Sequence, residues 1–272
     1  MTVSLTTNEK DLIGYSVKSG GIAEITFNRP DKLNSFNRRM ALELLAALKA
    51  AASDVEVRVI KITAIGKAFC AGQDLSEVMP SEGRQEPIDL GAIVHELYNP
   101  IIAIITATPK PVIAVVNGVA AGAGATIALA CDFVIALESA NFIFAFAKIG
   151  LIPDSGGTFF LPRLLGLARA KSIAMLGEKI SGLELAQLGA IYKSGSAEDL
   201  QKIVDDLTVR LSESATLALG HTKLLLNQSS SCALQAQLKA EEAAQRACGL
   251  SSDYRAGVEA FSQKKSARFS GR

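Results

Sequence analysis

Three short segments combine residue types that can do chemistry with backbone that can come close to a ligand. The first, Ala68-Phe69-Cys70-Ala71-Gly72-Gln73-Asp74-Leu75, follows the apolar run 57–64, and the second, Asn117-Gly118-Val119-Ala120-Ala121-Gly122-Ala123-Gly124, follows the apolar run 111–116. Both are built mostly from small residues, so their N–H groups can approach a ligand without side chains intervening. The second also opens a helix, whose first amides lack partners inside the helix. Two such loops facing one another can aim two N–H donors at one oxygen. Either loop alone reads more simply as a tight turn packed against a sheet. The third segment, Gly150-Leu151-Ile152-Pro153-Asp154-Ser155-Gly156-Gly157-Thr158, sets one carboxylate among apolar neighbours where a helix starts. By itself, Asp154 reads as the N-cap of that helix.

Other chemistries find little support. His95 and His221 fall in helical stretches beside polar neighbours, which predicts surface positions rather than a catalytic base. Cys70, Cys131, Cys232 and Cys248 show no CxxC spacing and, with two histidines, make a poor metal-ligand set; reduced, buried thiols are expected. Gly122 and Gly124 follow a strand, but Ile127 stands where a dinucleotide motif needs its third small residue, so NAD and FAD are not expected.

The elements that must position these loops alternate between strand and helix signals. Residues 15–18, a Ser19-Gly20-Gly21 turn and residues 22–27 predict a hairpin, and 40–52 a helix. A strand is expected at 57–64, a helix at 88–107 kinked near Pro100, a strand at 111–116, a short helix at 122–130, and strands at 132–137 and 141–144. Beyond residue 196 the pattern is helical only, at 197–211, 215–226 and 233–248. The expectation is an α/β core over 1–196 and a C-terminal helical region over 197–272, packed on the core or on another subunit. Glu82 to Gln85, between Pro80 and Pro87, read as a mobile loop.

Composition sets outer bounds. The 272 residues carry 28 Lys+Arg against 27 Asp+Glu, a net charge of +1, with 49% apolar residues and no Trp. This length buries a core without disulfides, the apolar content excludes disorder, and the neutral balance argues against nucleic acid as a partner. Mean hydropathy is +0.28, and between Lys110 and Asp132 only Asn117 and Thr126 are polar, which by length alone permits a membrane helix. Against that, Pro111 to Val116 reads as a buried strand and Asn117-Gly118 as a turn, so no membrane is expected. Residues 1–11 are polar and lack a targeting pattern, which predicts a cytoplasmic protein.

Taken together, the loops resemble those of the crotonase (enoyl-CoA hydratase/isomerase) superfamily, and the similarity runs from Asn28-Arg29-Pro30-Asp31-Lys32-Leu33-Asn34 to Gly257, Phe261 and Lys264. The resemblance implies a spiral of ββα units with a C-terminal helical subdomain. It also implies an acyl-CoA thioester substrate, no separate cofactor or metal, and homotrimers that often pair as hexamers. The amides of Gln73 and Ala123 would form an oxyanion hole for the thioester oxygen. Lys32, Leu33, Ala71, Gln73, Asp74, Leu75 and Ala123 would contact the CoA ester, with Phe261 and Lys264 reaching it from the same or a neighbouring subunit. The two glutamates of family hydratases fall on Thr126 and Phe146, which disfavours hydration. Asp154 falls where certain isomerases and dehalogenases of the superfamily carry a catalytic aspartate, which moves it from N-cap to general base.

Residues 150–161 and 252–261 are similar to isomerases of bacterial phenylacetate degradation, which open a ring epoxide on a CoA ester and shift enoyl double bonds. A dehalogenase would want a Trp and a His in the pocket, whereas this chain offers Asn99 and Phe146 there. The alternatives left open are a hydratase-like enzyme and a non-catalytic acyl-CoA-binding protein. Phe144, Phe146, Phe159 and Phe160 line a pocket or fill the core.

Overall fold

The computed structural model describes residues 11–78 and 88–272; the loop expected between Pro80 and Pro87 lies outside the described residues. The hairpin forms as expected, with β1 (Ile13–Lys18) antiparallel to β2 (Ile22–Phe27) across the positive-φ pair Gly20 and Gly21. Helix α1 (Arg38–Ser53) is capped by the Asn37 side chain, which accepts the Met40 N–H, and buries Met40, Leu44, Leu45 and Leu48 on one stripe. From there the chain winds as a spiral. Strands β3 (Val59–Ala64) and β4 (Ala68–Cys70) lead to the helix pair α2 (Leu90–Ile93) and α3 (Asn99–Ala107). Strands β5 (Val112–Val116) and β6 (Val119–Ala121) lead to α4 (Ala123–Ala130). Strands β7 (Phe133–Leu137) and β8 (Asn141–Ile143) lead to α5 (Gly157–Leu165) and α6 (Leu167–Leu176). Then come β9 (Lys179–Ser181), α7 (Gly182–Gln187), β10 (Lys193–Gly195) and four helices, α8 (Leu200–Ser212), α9 (Thr216–Ser229), α10 (Leu234–Gly249) and α11 (Ser252–Ser262).

Each turn gives one strand to each of two sheets. Their orders are β1-β2-β3-β5-β7-β10 and β4-β6-β8-β9, and the pairs are parallel except β1/β2 and β8/β9. Every residue of β5 is buried, as a central parallel strand covered on both faces requires. One face of the large sheet meets the main core with α1, α3 and α4. On the other face, Val204, Leu207 and Leu211 of α8 pack against Val59, Ile113, Val115 and Ile135.

Several local expectations need correction. Strands β4 and β6 lie inside segments that read as loops, and β9 and β10 carry no strand pattern; each has three residues, too few to show a period of two. The long helix runs from Leu90 to Ala107 and is irregular near Pro100 as expected, but as a π-helical turn over Val94–Tyr98, which contains Glu96, the residue four before the proline. The 110–132 segment is strand, strand and helix, enclosed by protein. A different stretch, Leu90–Ala107, has the length and apolarity of a membrane-crossing helix, yet its Leu97, Tyr98, Ile101 and Ile105 belong to the core. Cys70 and Cys131 are buried as expected, whereas Cys232 and Cys248 are only half-buried. His95 is exposed and His221 half-buried.

Polar contacts also tie the C-terminal helices to the core. Buried Lys223 of α9 pairs with the Asp132 carboxylate at 2.7 Å and donates to the Ile105 and Lys110 carbonyls. The last residues fold back as a strap. Arg58 donates to the carbonyls of Phe269 and Ser214, while the buried Asp253 carboxylate accepts the N–H groups of Ser270 (2.6 Å) and Gly271 (2.8 Å). Replacing Asp253 with alanine leaves two amides without their acceptor. The expected cost is about 2–3 kcal/mol, seen in a thermal melt as a fall in Tm on the order of 5–10 °C; an unchanged Tm would show that the strap carries no stability.

Candidate active site

The two small-residue loops meet because the strands before them pair. Strand β4 runs parallel to β6, with Ala68 opposite Val119 and Cys70 opposite Ala120, so both chains leave the small sheet side by side. Asn117 reinforces the pairing by donating from Nδ2 to the carbonyls of Ala64 and Gly66. Gly72 then adopts φ +92°, and a Cβ there would lie 3.0 Å from the Ala121 carbonyl oxygen and 3.6 Å from the Gly122 Cα. Only glycine allows that backbone to lie so close to its neighbour. Gly124 sits against Cys70 in the same way, a Cβ being 2.5 Å from the Cys70 oxygen, which seats α4 directly on β4.

Phe36 fixes the orientation of residue 73. Its N–H donates to the Gly72 carbonyl (2.7 Å) and its carbonyl accepts from the Asp74 N–H (2.8 Å), a parallel bridge that turns the Gln73 N–H to the opposite side. Ala123 is the first residue of α4; the neighbouring Gly122 N–H is taken by the Ile143 carbonyl (2.9 Å). Among the described residues, neither the Gln73 N–H nor the Ala123 N–H has a protein acceptor. A pair of free amides on adjoining loops, one at a helix N-terminus, suits an oxygen that gains negative charge.

Asp154 follows a 3-10 turn, Ala145–Ile149, and the left-handed Gly150. The N-cap of α5 is Gly156, with no side-chain cap, so the N-cap reading of Asp154 is overturned; only its backbone carbonyl serves the turn, accepting the Gly157 N–H at 2.8 Å. Left-handed Ser155 and Gly156 bend the chain between Asp154 and the helix, which takes the carboxylate out of capping range. Its partner is the hydroxyl of buried Ser155, 2.9 Å from Oδ1. Burial raises the Asp154 pKa above the ordinary aspartate value, and the Ser155 hydrogen bond offsets this only in part. The loop packs against α4 and the Gly122 turn: a Cβ on Gly157 would touch the Thr126 methyl at 2.8 Å, and Phe146 reaches within 3.7 Å of a Cβ on Gly122.

The remaining expected residues divide into two groups. Lys32, Leu33, Ala71 and Leu75 lie around the Gln73 loop, and the Ala71 N–H donates to the Leu33 carbonyl. Asp74 has its carboxylate engaged by Arg29 at 2.6 Å and by the Ser76 hydroxyl, which together lower its pKa. Phe261 and Lys264 stand at the end of α11, both exposed, and Phe261 borders a separate 370 Å³ depression with Leu217, Tyr254 and Phe269. Thr126 is fully buried with its hydroxyl donated to the Ala123 carbonyl, and Phe146 is buried, so neither position offers a carboxylate. Phe144 and Phe146 fill the core, whereas Phe159 and Phe160 line a 1040 Å³ cavity that Gly156 also borders. Among the described residues no cluster of His, Cys, Asp or Glu could hold a metal ion.

Two participants escaped the sequence reading. Tyr98 is buried and donates its hydroxyl to Gln73 Oε1, and Ser155 holds Asp154. Ser155 is legible as the hydroxyl next to a carboxylate; nothing in the spacing of Tyr98, 25 residues beyond Gln73, points to it.

The enoyl-CoA hydratase/isomerase family pattern matches residues 17–272. The 1,2-epoxyphenylacetyl-CoA isomerase of Escherichia coli is 44% identical, over 93% of this chain and 96% of that protein. The trans-2-decenoyl-[acyl-carrier-protein] isomerase of Streptococcus mutans is 36% identical, over 95% and 97%. The crystal structure of an enoyl-CoA hydratase from Polaromonas superposes with a TM-score of 0.85 at 33% identity, covering 94% of this chain and 99% of that one. With the two-sheet spiral and these relatives, the chain belongs to the enoyl-CoA hydratase/isomerase, or crotonase, family.

Proposed function

We propose that the protein is an acyl-CoA isomerase that converts 1,2-epoxyphenylacetyl-CoA to its oxepin isomer, shifts 3-enoyl-CoA to 2-enoyl-CoA, or does both. The observation that carries this reading is the desolvated carboxylate of Asp154, in a loop that packs on the helix carrying one of two free amides, with Thr126 and Phe146 uncharged. Water addition needs one group to orient the water and another to exchange the proton, whereas isomerisation needs only one that takes a proton and returns it. In the enoyl shift, Asp154 takes a proton from the carbon between the thioester carbonyl and the double bond. The electron pair of that C–H bond forms a dienolate whose oxygen is held by the Gln73 and Ala123 amides. The protonated carboxyl then returns the proton to the far carbon of the former double bond, and atoms balance without water.

The same reading assigns CoA contacts to Lys32, Leu33, Ala71, Asp74, Leu75, Phe261 and Lys264, and dispenses with a separate cofactor. It treats the protein as cytoplasmic, with residues 197–272 as the helical region through which trimers or hexamers form. The exposed Leu226, Leu234, Leu238 and Phe261 support an assembly role for that region. A panel of 1,2-epoxyphenylacetyl-, 3-enoyl- and 2-enoyl-CoA esters tests the reading. Isomerised product from the first or second ester is expected. Hydration of the third as the main activity, or turnover of none, would overturn it in favour of a hydratase or a non-catalytic binder.

A further inference from the structure

Gln73 is held twice, and both holds pass through Tyr98. Its backbone is fixed by the bridge to Phe36, whose ring meets the Tyr98 ring edge-on at 6.1 Å and 81°. Its carboxamide oxygen accepts the Tyr98 hydroxyl. Tyr98 is 2% exposed and ends the π-helical turn Val94–Tyr98, an irregularity that shifts the helix register and recurs at functional sites. An uninterrupted α-helix would aim this position elsewhere. Pro100 lacks the N–H that would pair with the Glu96 carbonyl inside this turn, which gives the irregularity a local cause.

We propose that Tyr98 is a positioning residue for the oxyanion donor: its hydroxyl clamps the Gln73 side chain so that the Gln73 N–H stays aimed at the thioester oxygen. This inference rests on the oxyanion reading above. Burial, with Cys70, Asp154 and Glu77 nearby, raises the Tyr98 pKa, so the phenol remains a neutral donor while charge moves between Asp154 and the substrate oxygen. A donor set even slightly off the reacting oxygen loses much of its value, because the benefit comes from prearranged geometry.

The test is Tyr98→Phe, which keeps the ring and its packing on Phe36 and deletes only the hydroxyl. Three quantities are read: kcat and KM on the ester that wild type turns over, Tm, and the infrared carbonyl band of bound carbonyl-13C phenylacetyl-CoA. The expected result is a fall in kcat of about tenfold with KM changed by less than about threefold, and a carbonyl band displaced toward that of the free ester. Gln73→Ala removes the acceptor, so adding Tyr98→Phe to it should cost nothing further. Wild-type kcat and band position in Tyr98→Phe, or losses that multiply in the double variant, would overturn the proposal. If the band in wild type itself matches free ester, the oxyanion hole is absent, and the proposal falls with the reading on which it rests.

Discussion

Asp154→Asn lowers kcat by about 10³-fold or more while the affinity for a non-reacting acyl-CoA ester stays within a few-fold; this is the expected result of removing the proposed proton carrier. Asparagine keeps the shape and can accept the Ser155 hydroxyl, so the loop 150–157 has no reason to move. Loss of turnover together with loss of ester binding would instead indicate a structural role. The pH dependence has a definite sign. Burial raises the Asp154 pKa, and the reaction needs the carboxylate, so activity falls as pH drops through a value above the ordinary aspartate range. The same shift costs stability. The folded state holds this proton more tightly than the unfolded one, so the group favours folding below its unfolded pKa. That contribution is lost as pH rises through the folded pKa. At neutral pH Asp154→Asn should therefore melt above wild type, an inactive but more stable variant, as expected where a site is held in an unfavourable charge state. A melt below wild type would mean that the carboxylate is a structural partner.

The second large effect belongs to the Ala123 amide. A side-chain substitution cannot remove it, but replacing Ala123 with lactic acid exchanges the N–H for an ester oxygen and keeps the methyl group. Loss of one oxyanion donor costs about 10²–10³ in kcat, with little change in KM if the donor acts mainly on the enolate. The helix should survive, because the first N–H of α4 has no partner within the helix. The same exchange at Ala128, whose N–H lies within α4, serves as the control: it should cost stability and spare kcat in the folded fraction. Equal kcat losses at the two positions would show that the hole is not formed as described.

The parts of the site that were legible in the sequence share one property: they depend on backbone and on local residue choice. Gly72 and Gly124 mark close approach and Gly122 a positive φ, whereas the choice of Gln73 and Ala123 as the two donors came from the family resemblance. Asp154 was visible as a carboxylate in an apolar loop, yet its local reading as an N-cap was wrong, because left-handed Ser155 and Gly156 hand the cap to Gly156. Just beyond that bend Gly157 packs on Thr126, a contact that adjacent residues do not reveal. Strands β4 and β6, which bring the two loops together, are three residues each and gain their definition only from the neighbouring strand. Tyr98 was hidden for a related reason. In an apolar helical stretch it reads as core, and only the π turn and the long-range contact with Gln73 give it a second task. Helix α1 was plain because its apolar positions recur at helical spacing over sixteen residues, and β5 because its apolar run is bounded by Pro111 and the Asn117-Gly118 turn.

The most direct measurement is the mass of the products that wild-type protein forms from trans-3-hexenoyl-CoA and trans-2-hexenoyl-CoA in oxygen-18 water. One carboxylate and two amides should convert the first ester to 2-enoyl-CoA at unchanged mass, apart from exchanged hydrogen, with no labelled oxygen in the product of either ester. A 3-hydroxyacyl-CoA carrying oxygen-18, formed as fast as the isomer or faster, would contradict single-carboxylate isomerisation and place a water-activating pair in the site.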